Sequence, residues 1–479
     1  MKSAAVIGAG LAGLASALEL ARAGISVDLY ESAAVPGGRA QRLTSPDGRF
    51  RFDLGPTLIV MVDVLRETLG RDAFDALELR RLEPGYAVRW PSGQRFEMHS
   101  DIALLLHEIA RYEGPYSAAR ALDYIARVHD AYLESRSAIL DVDFTQATLL
   151  RRILGARKLP PWALGNLRSF TSRFFSDSRV VEALTFQSLY LGLSPQRAPA
   201  VYALLPVIEM VGGIWYAAGG TAAIVDALVT SCIAAGVRMH FSSRIERVVV
   251  FDRRARGIVV RGKTKPTDGV IIASDREPAL TSLLHERPKK SRLRYGHSAL
   301  VTYLGIEGAV DLPHHTVMLP NDPWRSYAEL ERGIVPESPA FYVCNPVVTD
   351  AGCAPRGFSS ISMLVPVPNR AAAEHLDERA VFGRALTVLE GHVGKISDRI
   401  AYSRTIGPAA FENDFGLARG AAFGPDHALS QMGPLRPSIA YRGARNVAFA
   451  GSGTRPGSGV PLVLISGRLA AQHIVKSFS

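Results

Sequence analysis

A glycine-rich turn near the start of the chain most constrains how the chain can fold. Residues 4–7 are apolar and indicate a strand, and glycines follow at positions 8, 10 and 13. This spacing is the G-x-G-x-x-G fingerprint of a dinucleotide-binding βαβ unit. Its glycines allow a tight turn, close approach to a pyrophosphate and close helix–strand packing. The pyrophosphate binds at the helix N-terminus, where free N–H groups and the positive end of the helix dipole favour an anion.

The residues after the turn supply the context that this fingerprint needs. Residues 11–18 carry leucines at helical spacing, and Gly24 is a plausible helix stop. Residues 26–31 then indicate a second strand, which ends on Glu31, 23 positions after the first glycine. The fingerprint places an acid about 20 residues on, where it binds the ribose hydroxyls. We therefore expect Glu31 to take that role.

Composition limits the remaining function classes. The chain has 479 residues, of which 47% are hydrophobic and 21% charged, as is usual for a soluble globular protein of two intertwined domains. No apolar run approaches the ~20 residues of a membrane span, and no secretory signal precedes the first strand. We therefore expect a cytoplasmic protein that is mature at Met1. The net charge of +10, without a nucleic-acid-binding module, favours an anionic lipid surface as partner and no nucleic acid.

Cysteine and histidine positions predict no metal site. The chain has three cysteines, which are Cys232, Cys344 and Cys353. They lack metal-ligand spacing, so we expect buried, inert thiols. His314 and His315 are adjacent and follow a proline, and no carboxylate or thiol pattern matches them. We interpret them as part of a surface turn.

Two further turns extend the pattern of the first. Gly37, Gly38 and Arg39 suit a backbone pressed against a flat or phosphorylated cofactor, with the arginine available to a phosphate. Residues 55–57 (Gly-Pro-Thr) form another turn of small residues. Each alone indicates only a turn, but together with the fingerprint they form a series.

These motifs resemble FAD-dependent carotenoid desaturases of the bacterial phytoene desaturase family. The most specific part is residues 446–461, NVAFAGSGTRPGSGVP, where that family typically carries G-A-G-T-H-P-G-A-G-[IV]-P. Residues 215–220 agree as well, and the resemblance covers most of the chain. This sequence has Arg455 in place of the usual histidine and Leu462 where glycine is common. The N-terminal motifs are shared with many amine-oxidase-like flavoproteins.

The resemblance implies an α/β fold in which a Rossmann-like FAD-binding domain is interleaved with a mixed α+β substrate domain. We expect the FAD-binding domain to comprise residues 1–78, 205–275 and 441–479, and the substrate domain residues 79–204 and 276–440. In the family, the strand that contains Ile245 passes the adenine. We expect FAD to contact the glycine turns, the acid and the last helix, namely Gly8, Ala9, Gly10, Leu11, Ala12, Gly13, Glu31, Ser32, Gly38, Arg39, Gly55, Pro56, Thr57, Ile245, Gly451, Ser452, Val460, Pro461 and Leu462.

The reaction implied by the resemblance belongs to the flavin, because the sequence shows no catalytic triad, zinc spacing or P-loop. A flavin accepts a hydride from an allylic carbon, the adjacent carbon loses a proton, and phytoene or a related carotene gains a double bond. We assign no catalytic residue. Glu209 lies in an apolar run and is a candidate base, although such a residue more often pairs with an arginine or caps a turn. Without a second dinucleotide fingerprint, we expect oxygen or a membrane quinone as electron acceptor.

Residues 151–164 suggest contact with a membrane. Basic residues precede an apolar piece with two prolines and Trp162, a composition that suits a monotopic contact with lipid headgroups. The alternative is a helix end packed on the rest of its domain. On the first interpretation the protein is peripheral on the inner face of the membrane. The oligomeric state stays open.

Other functions of the same fold remain open at this point. A carotenoid isomerase, a desaturase of hydroxylated carotenoids or an amine oxidase would use the same cofactor. An amine oxidase needs an aromatic cage beside the flavin, which the sequence does not reveal. A flavin or lipid carrier without activity is the alternative outside the enzymes.

Overall fold

The computed structural model describes residues 1–136, 140, 142, 160–287, 292–372 and 375–478. The strands are β1 Ser3–Ile7, β2 Ser26–Tyr30, β3 Arg42–Thr44, β4 Arg51–Asp53, β5 Leu79–Arg81, β6 Tyr86–Arg89, β7 Arg95–Met98, β8 Trp215–Ala217, β9 Arg238–His240, β10 Ile245–Phe251, β11 Arg254–Val260, β12 Lys263–Pro266, β13 Gly269–Ile272, β14 Ser298–Glu307, β15 His315–Met318, β16 Phe341–Cys344, β17 Phe358–Val367, β18 Ile400–Ile406 and β19 Val447–Phe449.

The α-helices lie between these strands and at the C-terminal end. They are α1 Leu11–Arg22, α2 Val62–Leu69, α3 Arg71–Asp75, α4 Ile102–Glu113, α5 Ala118–Ser135, α6 Leu167–Thr171, α7 Ser178–Ala183, α8 Leu204–Gly212, α9 Thr221–Ala234, α10 Arg276–Ser282, α11 Pro323–Glu331, α12 Glu378–Val393, α13 Pro408–Asn413 and α14 Val460–Ser477. Within the ranges described, none of them has the length and apolar character that crossing a bilayer requires.

A parallel sheet in the order β19-β13-β1-β2-β9 carries the glycine fingerprint. Its strands come from three separate stretches of the chain, which explains why their apolar runs lie so far apart in sequence. Leu14 of α1, Leu228 of α9 and Leu464 of α14 are fully buried in one core cluster beside the sheet. The predicted order strand, glycine turn, helix, strand is therefore confirmed at β1, α1 and β2. The α/β class is confirmed as well.

A second sheet, in the order β18-β14-β17-β16-β15-β6-β7, forms the other half of the molecule. Neighbouring strands are antiparallel except β15 and β6, which are parallel. Its strands come from residues 86–98 and 298–406, on both sides of the stretch that supplies β9 and β13. The two sheets are thus interleaved in the chain, although the domain boundaries given above stay a prediction.

Aromatic packing joins the loop after the fingerprint to this second sheet. Phe50 and Phe52 lie on either side of Arg51, in and next to β4, and both pack against Tyr402 of β18. Phe52 also meets Tyr303 of β14 edge-on, and the Tyr303 hydroxyl donates a hydrogen bond to the Leu54 carbonyl at 2.5 Å. These contacts hold Leu54, directly before the third turn, against the second sheet.

Candidate functional site

The three fingerprint glycines are required for different physical reasons. Gly8 has φ +104°, and Gly13 packs so closely that a Cβ there would lie 1.9 Å from the Gly8 carbonyl oxygen. Gly10 has an ordinary φ of −73°, and a Cβ there would meet no atom within 4 Å. Packing within the protein therefore explains Gly8 and Gly13 but not Gly10. Gly10 faces open space of the kind a bound pyrophosphate occupies.

The N-terminus of α1 suits an anion. Gly10 is its N-cap residue and provides no side-chain cap, and the first turn contains no acidic residue. The first N–H groups of a helix have no partner within the helix. The side chains of Leu11 and Ala12 in this turn are buried. The groups left to bind an anion at this helix end are therefore backbone N–H groups. These residues fit the diphosphate of FAD.

Glu31 lies beside the glycine turn, as the spacing predicts. Its Oε2 accepts a 2.7 Å hydrogen bond from the Ala9 N–H, and its Oε1 accepts bonds from the Ala33 N–H and the Ser32 hydroxyl. The carboxylate is thus oriented by backbone at the C-terminal end of β2. Contact of Glu31 and Ser32 with a ribose stays a prediction.

Ile245 lies close to the same strand end. The Ser243 N–H donates to the Glu31 carbonyl at 2.8 Å, and β10 begins two residues later. Ile245 is buried in a cluster that contains Ile7 and Tyr30. It is therefore near the predicted adenine position, and its contact with adenine stays a prediction.

The second glycine loop packs directly on the first. The Gly37 N–H donates to the Ala9 carbonyl at 2.8 Å, and a Cβ on Gly38 would lie 3.4 Å from the Gly10 Cα. Arg39 follows, and its guanidinium donates to the Ala422 carbonyl and the Ser452 hydroxyl at 2.7 and 2.9 Å. Burial lowers the pKa of Arg39. The expected loop is present, but its arginine bonds to protein rather than standing free.

The third turn packs on the second turn and contacts the second sheet. A Cβ on Gly55 would lie 2.5 Å from the Arg39 carbonyl oxygen, and Pro56 leads from it to Thr57. The Thr57 hydroxyl lies 2.7 Å from the hydroxyl of Tyr342 on β16. Three turns that are separate in sequence therefore form one continuous surface from α1 to the second sheet.

The C-terminal glycine segment completes this surface. The Gly451 N–H donates to the Ser466 hydroxyl at 3.0 Å, and a Cβ on Gly451 would lie 3.8 Å from the Ala12 Cβ. α14 begins at Val460 and Pro461 and, like α1, has neither a side-chain cap nor an acid in its first turn. A Cβ on Gly467 would lie 2.4 Å from the Ala12 carbonyl oxygen, so α14 crosses α1 at close range. Leu462 is partly buried at its start.

Sequence reasoning missed Arg436, which anchors this segment. Its side chain is 1% exposed, and its guanidinium donates to the carbonyls of Ser452, Thr454, Pro425 and Asp426 at 2.6–3.3 Å. Burial lowers the pKa of Arg436 to about 10, so it stays charged at neutral pH. The sequence offers no signal for it, because an isolated arginine normally indicates the surface.

Arg455, which stands where the family usually has histidine, also has a structural role. Its guanidinium donates to the carbonyls of Pro434 and Arg436 at 2.7 and 3.2 Å. A second residue that the sequence did not reveal, His427, is buried against the neighbouring segment. The Ser458 N–H donates to His427 Nε2 at 3.3 Å, and burial holds the pKa of His427 well below its usual value. The departures from the family pattern are therefore accommodated by the packing.

Glu209 is buried in α8, and Gln187 connects it to Tyr86 of the second sheet. Its carboxylate accepts a 3.2 Å hydrogen bond from the Gln187 amide, which also donates to the Tyr86 hydroxyl at 2.6 Å. Burial raises the pKa of Glu209 to about 8. Among the described residues no arginine pairs with this carboxylate, and Glu209 lies inside the helix rather than at a turn, contrary to the structural alternative above. At neutral pH the carboxyl is mostly protonated and is a poor proton acceptor.

The interpretation of His314 and His315 as a surface turn is wrong. Their side chains are 3% and 0% exposed, because β15 begins at His315 and pairs with both β6 and β16 inside the second sheet. The start of β15 could not be predicted from the two adjacent histidines, because the strands that pair with it are distant in sequence. All three cysteines are buried, as expected.

Comparison with known proteins decides the family. The model of the flavin-containing amine oxidoreductases matches residues 11–475, almost the whole chain. The chain belongs to this family. It is an FAD-dependent oxidoreductase, and the expected cofactor is confirmed.

Curated relatives confirm the resemblance to carotenoid desaturases. A ζ-carotene-forming phytoene desaturase of Myxococcus xanthus is 36% identical over 98% of this chain and 93% of its own length. The all-trans-ζ-carotene desaturase of the same organism is 30% identical over 98% and 93%. A carotenoid 3,4-desaturase of Haloarcula japonica is 30% identical over 99% and 98%.

Solved structures show the same fold at low sequence identity. An oxidoreductase from Methanosarcina mazei has a TM-score of 0.66 at 17% identity and covers 97% of this chain and 98% of its own. Putrescine oxidase with bound putrescine has a TM-score of 0.61 at 15% identity and covers 99% of both chains. At these identities the likeness concerns the fold alone.

Proposed function

We propose that this chain is a flavin-dependent desaturase of a long apolar isoprenoid, phytoene or a related carotene. The observation that carries the proposal is similarity to carotene desaturases over 98% of the chain. The matched part includes every strand of the second sheet. The surface formed by the glycine turns and the starts of α1 and α14 supports the same proposal, because it fits the cofactor that such a reaction needs.

Bound FAD supplies hydride acceptance from an allylic carbon of the substrate. The residues that would hold it belong to the glycine turns: the N–H groups at the start of α1 would bind the diphosphate, and Glu31 would bind the ribose. Conjugation spreads positive charge along the polyene, which reduces the need for a strong protein base. We therefore assign Glu209 no part in proton removal at neutral pH, where its pKa of about 8 keeps it protonated.

Uncharged buried groups in the substrate half favour a hydrocarbon over an amine. Burial raises the pKa of Glu209 to about 8 and lowers the pKa of His297 to about 4. Both groups are therefore mostly neutral at pH 7. A substrate ammonium would instead require an ionised partner in a site of low dielectric constant. This argument supports the desaturase over an amine oxidase of the same fold.

Delivery of such a substrate favours contact with a membrane. The basic residues 151–158 lie outside the described residues, but Trp162 and Leu164 are within them. Leu164 is 56% exposed, whereas Trp162 stacks on Phe170 with ring centroids 4.3 Å apart. We infer that Leu164 and the preceding basic residues contact an anionic lipid surface. Because the sequence has no second dinucleotide fingerprint, we infer that oxygen or a membrane quinone accepts the electrons.

Expression in a bacterium that accumulates phytoene tests the proposed function. The expected result is a coloured carotene with a longer conjugated system than phytoene, identified by its absorption spectrum and mass. Gly10→Ala is the matched control, because it adds one methyl group where the cofactor is expected and leaves the internal packing unchanged. Unchanged phytoene with a well-expressed, flavin-loaded protein would contradict the proposal.

A further inference from the structure

Two histidines and a cysteine meet inside the second sheet, one residue away from the third glycine turn. His315 of β15 lies directly opposite Cys344 of β16, and His314 precedes His315. All three side chains are buried. One ring nitrogen of each histidine and the Cys344 Sγ all lie within 4.8 Å of one another.

The Nε2 atoms of both rings have no hydrogen-bond partner within the part of the chain that the structure describes, and both atoms are fully buried. Their Nδ1 atoms are occupied: that of His314 lies 2.8 Å from the Thr349 hydroxyl, and that of His315 lies 2.5 Å from the Tyr342 hydroxyl. Two buried nitrogens without a partner, on rings that each bring one nitrogen within 4.8 Å of a thiol, require an explanation.

We propose that His314, His315 and Cys344 bind one Zn²⁺ ion. Three atoms within 4.8 Å of one another always share a point that lies within about 2.8 Å of each. Zinc–nitrogen and zinc–sulfur bonds are ~2.0–2.3 Å long, so small side-chain rotations complete the site. Two imidazoles and a thiolate are a donor set that zinc prefers over harder cations.

Hydroxyl groups beside the two rings suit metal-binding histidines. With Nε2 as the metal ligand of each ring, the Nδ1–H groups donate to the Thr349 and Tyr342 hydroxyls, which lie 2.8 and 2.5 Å away. Such bonds fix the tautomer and the orientation of a zinc-bound imidazole. Binding forms three metal–ligand bonds and releases the Cys344 thiol proton to solvent.

The bound ion would stabilise the contact between the second sheet and the third glycine turn. Tyr342 contacts both His315 and Thr57, so it links the zinc cluster to the third turn of the flavin surface. The sequence-based expectation of no metal rested on missing ligand spacing and on a surface position for the histidines. The structure instead buries both histidines and pairs His315 with Cys344. This inference rests on neither the substrate nor the reaction proposed above.

Metal content of the purified holoprotein tests the proposal. Protein expressed with added zinc is dialysed against metal-free buffer, and its metals are measured by mass spectrometry. We expect close to one zinc per chain, and a loss of at least tenfold in Cys344→Ser and in His315→Gln. The matched controls are Cys232→Ser, a buried thiol bonded to the Leu14 carbonyl, and His297→Gln, whose Nε2 is also buried and unpaired. Both controls should keep the zinc.

X-ray absorption at the zinc edge provides a readout that does not depend on how well a variant folds. The wild-type spectrum should contain one sulfur and two imidazole ligands. Flavin content and circular dichroism show whether each variant has folded. Zinc far below one per chain in the wild type, an absorption spectrum without sulfur, or full zinc retention in folded Cys344→Ser overturns the proposal. Flavin loading is measured in the same samples, so a failure of the flavin site is seen separately.

Discussion

Arg39 and Ser452 lie 413 positions apart in the chain, yet the Arg39 guanidinium donates a 2.9 Å hydrogen bond to the Ser452 hydroxyl. A second bond from the same guanidinium reaches the Ala422 carbonyl at 2.7 Å. The second glycine loop is therefore tied to the C-terminal glycine segment. Because these two segments flank the cofactor surface, their connection determines how well the surface is preformed.

Arg39→Ala should weaken FAD binding by about 10- to 100-fold, the effect of losing charge-assisted bonds of ~1.5–3 kcal/mol. Arg39→Lys should also weaken binding, since one ammonium cannot reproduce the planar fork that serves two acceptors. The dissociation constant of FAD, measured by titration of the apoprotein, checks both variants. Arg370→Ala removes an exposed pair with Glu412 and is the control. Unchanged affinity in Arg39→Ala would show that the connection is dispensable.

Gly13→Ala and Gly10→Ala should separate folding from cofactor binding. A Cβ at position 13 would overlap the Gly8 carbonyl oxygen at 1.9 Å, so we expect a loss of ~1–3 kcal/mol in stability from overpacking. Gly10→Ala meets no protein atom, so the apoprotein should keep its melting temperature while FAD affinity falls at least tenfold. Thermal unfolding of apoprotein and FAD titration measure the two effects.

The control for this pair is Gly391→Ala, a helical glycine of α12 that also faces open space. It should leave FAD affinity unchanged and should not lower stability. Equal FAD affinity in Gly10→Ala and wild type would contradict the position given to the diphosphate.

Local patterns predicted the first unit of the fold well. The boundaries of β1, α1 and β2 follow from short-range features: alternation of apolar residues, helical spacing and glycines. The turns at Gly38 and Gly55 were also predictable, because small residues in a series indicate close backbone contact. The resemblance placed all of these residues in one site.

Long-range contacts could not be predicted in the same way. Arg436 is buried because carbonyl groups 10 to 18 positions away, on both sides in the chain, surround it, and no pattern in its local sequence reveals them. His314 and His315 were placed on the surface because the strands that cover them, β6 and β16, lie elsewhere in the chain. Both cases concern polar residues whose burial depends on partners outside their own segment.

Glu209→Gln should change the pH dependence of stability. The pKa of Glu209 is raised by burial from 4.5 to about 8. Between these values the folded state keeps a proton that the unfolded state has released, so stability falls as the pH rises and levels off above about 8. The variant lacks this contribution, and its stability relative to wild type should rise by about 3–5 kcal/mol from pH 5 to pH 8.

Urea unfolding at several pH values measures this difference. Glu412→Gln, at an exposed ion pair, should leave the pH profile as it is in wild type. A Glu209→Gln profile parallel to that of wild type would show that the carboxyl is ionised in the folded protein. Desaturase activity of Glu209→Gln should stay within a few-fold of wild type at pH 7.

Replacement of the four basic residues in the range 151–158 by acidic ones should weaken membrane binding. Each Lys or Arg near an anionic surface contributes ~1 kcal/mol, so replacement of Arg151, Arg152, Arg157 and Lys158 by Glu should lower vesicle binding more than tenfold. Flotation with vesicles of phosphatidylcholine and phosphatidylglycerol measures it. Lys263→Glu with Lys265→Glu, on the exposed strand β12, is the control. Equal loss in both variants would indicate a general charge effect.

The central claim is that FAD on the glycine surface oxidises an apolar isoprenoid. Anaerobic mixing of the flavin-loaded protein with phytoene in lipid vesicles, followed by absorption spectroscopy, tests this claim most directly. The account predicts bleaching of the flavin absorbance with one new double bond formed per flavin reduced, and no bleaching with putrescine. Bleaching by the amine and not by phytoene, or by neither, would contradict it.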